Sequence, residues 1–309
     1  MRRRTFLAGA SSTVPLLTGL PALAADGSIP ARKLDRLSIA SSTFRAKFDG
    51  WQYSVPTEMP RLTLLTLPAY VRDRFGVRKL ELWGRQFGPE GHTEEHYRKI
   101  RAAADAAGVS IVNLQVEELP SLNAGDEAAR AEVLAALKVW LDKAKILGAG
   151  SIRINVTRQA GPINLEAVIA LLRVGAAYGR SIGVRILLEN HGGYTQIIPD
   201  LISLVKAVND DFVRITIDWG AWAPPGPPND RYEAMQSAMP LVHIVSAKGS
   251  EFDPVTYQHT TFDVARLVRN AEAGGFRGVY SIEFFGNNPP KDTDAAVRAF
   301  IKTITDNMA

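Results

Sequence analysis

The stretch Leu165–Glu189, LEAVIALLRVGAAYGRSIGVRILLE, carries the pattern from which the fold is read. Its first part, Leu165–Ile182, is helix-forming and stops at Gly183, a residue type that closes helices in a left-handed turn. Arg185–Glu189 follows as a short apolar run with the character of a strand. The same order of helix, glycine and strand recurs on either side. His96–Ala107 stops at Gly108 before Val109–Gln115, and Asp126–Leu147 stops at Gly148 before Ser151–Val156. Leu37–Ala40, Val77–Leu82, Val213–Asp218, Val242–Ser246 and Val279–Glu283 complete the expected strands. Asp200–Val208, Tyr232–Met239, Phe262–Ala273 and Thr293–Ile304 complete the expected helices. The units repeat at about 30 residues, and eight of them match a (β/α)8 TIM barrel, an α/β fold. A doubly wound open sheet is the competing architecture. No glycine-rich phosphate loop follows the first strand, which weighs against its nucleotide-binding form. The one biased segment, Pro224-Pro225-Gly226-Pro227-Pro228, directly follows a strand and reads as a rigid loop on the top face.

Three late strands end in an acid: Ile186-Leu187-Leu188-Glu189, Ile215-Thr216-Ile217-Asp218 and Tyr280-Ser281-Ile282-Glu283. The C-terminal ends of barrel strands converge on the face where catalytic groups stand. Carboxylates meeting there repel and raise one another's pKa values. A divalent cation with oxygen ligands resolves that conflict. One acid after a strand is an ordinary cap or solvent-facing residue; three in the same structural position point to a site.

Glu189-Asn190-His191, Asp218-Trp219-Gly220 and Ser281-Ile282-Glu283 resemble motifs of the sugar phosphate isomerase/epimerase superfamily, whose fold is the xylose-isomerase-like TIM barrel. The resemblance extends over nearly all of the chain beyond the N-terminal segment. Leu64–Leu82, ending Gly76-Val77-Arg78-Lys79-Leu80-Glu81-Leu82, is similar to the superfamily's second repeat and Leu147–Arg153 to its entry to strand four. Ala247-Lys248 to Phe252-Asp253, with Phe262-Asp263, is similar to the stretch after strand seven. The resemblance implies a metal set of Glu189, Asp218 and Glu283, completed in the family by a histidine on strand seven. This sequence has Ser246 at that position. Strand alternation puts His243 on the opposite face, behind the barrel. His191, two residues beyond Glu189, is the substitute, with a loop histidine as the alternative; Ser246 can instead hold a water on the metal. The implied ion is Mn²⁺, Mg²⁺ or Co²⁺, given oxygen-rich ligation.

Several further residues are candidates for substrate binding. Relatives place Asn or His where Ala221 stands. Trp219 and Trp222 flank that gap, either as an aromatic wall for a sugar ring or as core filling. Lys248 shares the parity of Ser246. Pointed inward, it would partly neutralise the carboxylates without a metal; it can also bind a substrate oxygen, form a Schiff base or stand solvated at a strand end. Glu81, Gln115, Glu117, Arg153 and Asn155 end or follow earlier strands and can line the rim, while His92 and His96 open a helix as surface or rim groups.

Sugar isomerisation and epimerisation remove a proton from carbon beside a carbonyl and stabilise the resulting enediolate. A metal on two adjacent oxygens spreads that charge, and carboxylates on either side take and return the proton. In the resembled epimerases the two metal-bound glutamates fill those roles, which implies Glu189 and Glu283 as catalytic groups and Asp218 as a pure ligand. The first expectation is therefore a metal-dependent isomerase or epimerase of a sugar or keto-sugar. A lyase or dehydratase of keto-glycosides or inososes, expelling a β-leaving group from the same enediolate, is the second. A non-catalytic sugar-binding barrel is the third, favoured by the missing histidine and opposed by the three retained acids. The partner in each case is a small-molecule carbohydrate. Relatives often pair through their barrels, so a homodimer is the implied assembly.

The chain has 309 residues, 46% of them hydrophobic and 22% charged, and no cysteine. That composition fits a packed globular protein and excludes disulfides, thiolate nucleophiles and zinc–thiolate sites. Five histidines are few for a metal site built of imidazoles. The net charge of +4 owes three units to Arg2, Arg3 and Arg4. The nearly neutral remainder argues against a nucleic-acid partner. Arg2-Arg3-Arg4-Thr5-Phe6-Leu7, an uncharged run from Ala8 to Ala24 and the small residues Ala22-Leu23-Ala24 resemble a twin-arginine export signal. Residues 1–25 then form a signal peptide, and residues 26–309 a single TIM-barrel catalytic domain. The implied partner is the Tat export machinery, and the implied location is periplasmic or exported. A basic tail or a membrane anchor is the alternative. No other stretch reaches the ~18 apolar residues of a spanning helix, so no membrane contact is expected after processing.

Overall fold

The computed structural model describes residues 29–48, 58–88, 91–157, 159, 161–221, 230–285 and 290–309. The signal segment and the proline-rich loop of the sequence reading lie outside the described residues. Eight parallel strands close into a barrel in chain order. They are β1 (Leu37–Ala40), β2 (Lys79–Trp83), β3 (Ser110–Gln115), β4 (Ser151–Ile154), β5 (Arg185–Glu189), β6 (Val213–Asp218), β7 (Val242–Gly249) and β8 (Val279–Phe284). Closure comes from β1 pairing with β8, Leu37 opposite Tyr280 and Ile39 opposite Ile282.

After each strand comes a helix: α1 (Leu67–Phe75), α2 (Glu94–Ala107), α3 (Glu127–Leu147), α4 (Leu165–Ile182), α5 (Ile198–Val208), α6 (Asp230–Ala238), α7 (Val264–Ala273) and α8 (Thr293–Asn307). Asp126 caps α3 by accepting from the Ala129 N–H at 2.8 Å, and Asn164 caps α4 through the Ala167 N–H at 3.1 Å. Such caps satisfy N–H groups that a helix start leaves unpaired. Gly148 and Gly183 close the same two helices at φ 83° and 79°, a conformation that strains any residue with a Cβ. Among the described residues no helix is long and apolar enough to cross a membrane.

Two differences from the sequence reading matter. α1 was not expected: it has nine residues, opens on Leu67-Pro68, and shows its arginines outward, so only Leu67, Pro68 and Val71 mark the buried face. Strand β7 runs three residues past Ser246, because its pairing with β8 continues through Lys248 opposite Glu283 and Gly249 opposite Phe284. Lys248 is therefore a strand residue with a fixed direction.

Along the strands, large apolar residues alternate with polar ones. In β8, Tyr280, Ile282 and Phe284 alternate with Ser281 and Glu283, all buried. Alternation sends one set towards the helices and the other into the barrel. The apolar set builds one continuous core with the helix faces, including Leu80, Ile152, Ile186 and Ile217. The lumen is unusually polar for a TIM barrel. Ser151 Oγ donates to Asn113 Oδ1 at 2.7 Å, and Asn113 Nδ2 donates to Glu81 Oε1 at 2.6 Å.

Candidate active site

The polar set of the strands emerges at the C-terminal mouth. Trp83, Arg153, Glu189, Asp218, Lys248 and Glu283 come from β2 and β4 to β8, and with Arg85, Glu117, His191 and Phe285 they line a cavity of about 210 Å³. All three acids expected at strand ends are present and almost fully buried. Four carboxylates in the lining face three cations: Arg85, Arg153 and Lys248.

The pairings are specific. Lys248 Nζ donates to Asp218 Oδ2 at 3.2 Å and to Glu283 Oε1 at 3.0 Å. Asp218 Oδ1 accepts from the backbone N–H groups of Gly220 at 2.6 Å and Ala221 at 3.2 Å. Glu283 Oε2 accepts from Ser246 Oγ at 2.8 Å and Gln115 Nε2 at 3.3 Å. Arg153 Nη1 stands 3.1 Å from Glu189 Oε2 and 2.9 Å from Glu117 Oε1. Trp83 Nε1 also donates to Glu117 Oε1, at 3.3 Å.

These surroundings push the two glutamates apart in acidity. Burial raises the Glu189 carboxyl, Arg153 opposes the rise, and Asp218 and Glu283 add to it, leaving it at about 8. Burial raises Glu283 too, but Lys248, Arg153 and the Ser246 hydrogen bond outweigh it and hold this carboxyl below the usual range. Burial alone would lower the Lys248 ammonium; Asp218, Glu283 and Glu189 reverse that and keep it charged, so it is no free amine for a Schiff base. Partial desolvation at the cavity mouth lowers the His191 imidazole; Asp218 opposes the fall, and Arg153 and Lys248 add to it.

The donor set does not fit the divalent ion that the resemblance implies. Ser246 stands at the histidine position and is turned to Glu283. Lys248 already lies between Asp218 and Glu283. Among the described residues no three His, Asp or Glu side chains are gathered to hold a metal ion.

The profile of the xylose isomerase-like TIM barrel family matches residues 73–304. The chain belongs to this family. Among solved structures it is similar to an IolI protein with a bound zinc atom, at 16% identity over 89% of this chain and 99% of that one, with a TM-score of 0.67. It is similar to the probable 3-DHS dehydratase AsbF from Bacillus anthracis (14% identity, 87% and 98% covered, TM-score 0.63). It is also similar to D-psicose 3-epimerase with D-tagatose from Clostridium cellulolyticum H10 (13%, 88% and 96%, TM-score 0.62). At these identities the likeness is one of fold. A comparison with curated proteins finds no match.

The remaining expected residues divide by depth. His191 lines the cavity, half exposed, with Nδ1 3.7 Å from Glu189 Oε2. Glu81 was expected at the rim. It is instead fully buried in the lumen, held by Asn113, and does not line the cavity, because it lies one inward position below Trp83 on β2. Asn155 opens onto an adjoining cleft of about 170 Å³ that shares Glu117 with the main cavity. Trp222 lies outside the described residues. Trp219 is core: it is fully buried and packs 6.0 Å from Tyr280. The aromatic wall is made by residues that sequence reasoning missed, Trp83 and Phe285, edge to face at 5.5 Å. Parity was the available signal. Trp83 shares the parity of Glu81 and Phe285 that of Glu283, whereas Trp219 opposes Asp218. His243, half-buried behind the barrel, is lowered to about 4 by burial beside Arg185 and Arg214.

Proposed function

We propose that this barrel is a sugar isomerase or epimerase that moves a proton at carbon beside the carbonyl of a keto-sugar. The observation that carries the reading is the placing of two buried glutamates, Glu189 and Glu283, on β5 and β8 around one cavity that also holds the cations Arg153 and Lys248. Proton abstraction beside a carbonyl needs an ionised base, a proton donor and positive charge near the oxygen. Glu283, kept ionised by Lys248 and Ser246, is the base. Glu189, pushed to about 8 and so mostly protonated at neutral pH, is the acid. Such splitting of two carboxyls is the usual mark of an acid–base pair.

In this reading Glu283 takes the proton from one face of the carbon. The electrons move onto the carbonyl oxygen, where Lys248 and Arg153 offer N–H donors. Glu189 returns a proton from the other side, which inverts the centre. A resting pair with one proton between two glutamates suits this two-group route, so epimerisation is favoured over isomerisation. Trp83 and Phe285 offer an apolar wall to the sugar ring.

Solvent exchange tests the reading. Incubation with a panel of keto-sugars in D₂O is expected to place deuterium at the carbon beside the carbonyl, with Glu283→Gln abolishing it. Expulsion of a β-leaving group, with an unsaturated product, would show the lyase instead. Binding without exchange would show a sugar-binding barrel. We also propose that the Arg3-Arg4 segment directs export; Arg3→Lys with Arg4→Lys is expected to retain the protein in the cytoplasm, in a fractionation of cells.

A further inference from the structure

We propose that Lys248 takes the place of a divalent cation in this barrel: its ammonium is the fixed positive charge that joins Asp218 to Glu283 and faces the substrate oxygens, so the site works without a bound metal ion. This deepens the function proposed above and rests on it for the substrate alone; the claim about the cation stands on the side chains.

In two acids that a metal would need, both oxygens already accept hydrogen bonds. Both oxygens of Asp218 accept from the chain itself, one from Gly220 and Ala221 and the other from Lys248. Both oxygens of Glu283 do so as well, one from Lys248 and the other from Ser246 and Gln115. A metal ion binds carboxylate oxygens at about 2.0–2.6 Å and needs several at once. To enter here it would displace donors from both acids and bring two positive charges against a partly buried ammonium. The third acid, Glu189, is paired with Arg153.

The chain is also shaped around the lysine. A Cβ on Gly220 would come within 2.6 Å of Lys248 Cγ and 3.2 Å of its Cβ. The bare glycine therefore gives the lysine stem its route across Asp218. The pairing of Lys248 with Glu283 on β7 and β8 fixes the other side. Ser246, two residues earlier on the same face, supplies a small hydroxyl donor to Glu283 at the position of the family's histidine. A serine there removes one metal ligand and leaves a hydrogen-bond donor, which serves an ammonium-centred site. An ammonium has three donors, and among the described residues two are directed to Asp218 and Glu283. The third is left for a substrate oxygen in the cavity that Lys248 lines.

The test reads metal content apart from activity. The full chain, purified without chelator, is analysed for elements and titrated calorimetrically with Mn²⁺, Mg²⁺, Co²⁺ and Zn²⁺. The expected result is far less than one equivalent of any divalent ion, no saturable binding at micromolar concentration, and an unfolding temperature that neither EDTA nor the ions move. Lys248→Met combined with Ser246→His removes the ammonium and restores an imidazole; it is expected to gain one equivalent of metal. One tightly held equivalent in the unaltered chain, lost to EDTA with a fall in unfolding temperature, overturns the proposal. So does a folded double variant that still takes up no metal. Should the double variant not fold, the unaltered chain decides alone. No substrate enters these measurements, so a sugar panel that shows no exchange would sink the proposed activity and leave the metal result standing.

Discussion

Asn190 holds Asp218 by the backbone at both of its polar groups. Asn190 Oδ1 accepts from the Asp218 N–H at 2.7 Å, and Asn190 Nδ2 donates to the Asp218 carbonyl at 3.0 Å. The side-chain amide thus continues the β5–β6 pairing one step past the end of β5, where Glu189 is the last strand residue. This bridges the two acids of the site directly, since Asn190 follows Glu189 in the chain. Asn190→Ala leaves a buried N–H without its partner, at a cost of about 1–3 kcal/mol. Urea unfolding is expected to show that loss, together with slower turnover from a misplaced Asp218. A variant as stable as the unaltered chain would mean that other groups take over the contact.

The opposed acidities of Glu189 and Glu283 set a pH profile for turnover. Activity is expected to fall as pH rises through about 8, where Glu189 loses its proton. It also falls in acid below the usual carboxylate range, where Glu283 gains one. Each glutamine variant should lower kcat/KM roughly 10²–10⁴-fold, the usual worth of a positioned acid or base. The discriminating measurement is the alkaline limb: residual activity of Glu189→Gln should lack it. If that limb persists unchanged in the variant, the proton belongs to another group.

How much of this was legible beforehand depends on range along the chain. The order of helix, glycine and strand is a local signal, and β1, β5 and β6 fell on the residues expected from it. The three acids were legible for the same reason, since each ends an apolar run and barrel closure brings strand ends together. What Lys248 does is not legible in the sequence, because it depends on register. Only the pairing of β7 with β8 through Lys248 and Glu283 extends the strand and aims the amine inward. Arg153 and Glu117 are legible as rim residues, but the grip of Arg153 on both Glu117 and Glu189 needs three elements in contact. The depth of Glu81 is not legible, because a strand position says nothing about depth: one inward step below Trp83 is already closed off from the cavity.

Gly220 offers a separate handle on Lys248. Gly220→Ala adds one methyl group beyond the acids themselves, at a position where its Cβ would crowd the lysine stem at 2.6 Å. The ammonium must then move away from Asp218, Glu283 or both. Turnover should drop by about 10²-fold, the scale on which small misplacements act, while substrate affinity changes less. Lys248→Met should cause a comparable loss, and the pair of changes together should cost little more than either alone, because both act through one group. Fully additive losses would show that Gly220 matters for another reason.

Stability should carry the signature of Glu189 as well. Its folded carboxyl titrates at about 8 against an ordinary 4.5. Between those values the folded chain keeps a proton that the unfolded chain has released, so the native state is favoured less and less as pH climbs. The contribution is present in full below the ordinary value and is gone once pH has passed about 8. Glu283 has the opposite sign, since its folded carboxyl is lowered, and its effect falls in acid, outside this window. Buried Glu81 is also raised and adds to the same slope, so the unaltered chain alone cannot isolate Glu189. Glu189→Gln keeps the shape and removes the titration. Unfolding free energies measured from about pH 5 to pH 9 should therefore fall more steeply for the unaltered chain than for the variant. Parallel curves would place the shared proton elsewhere in the cluster.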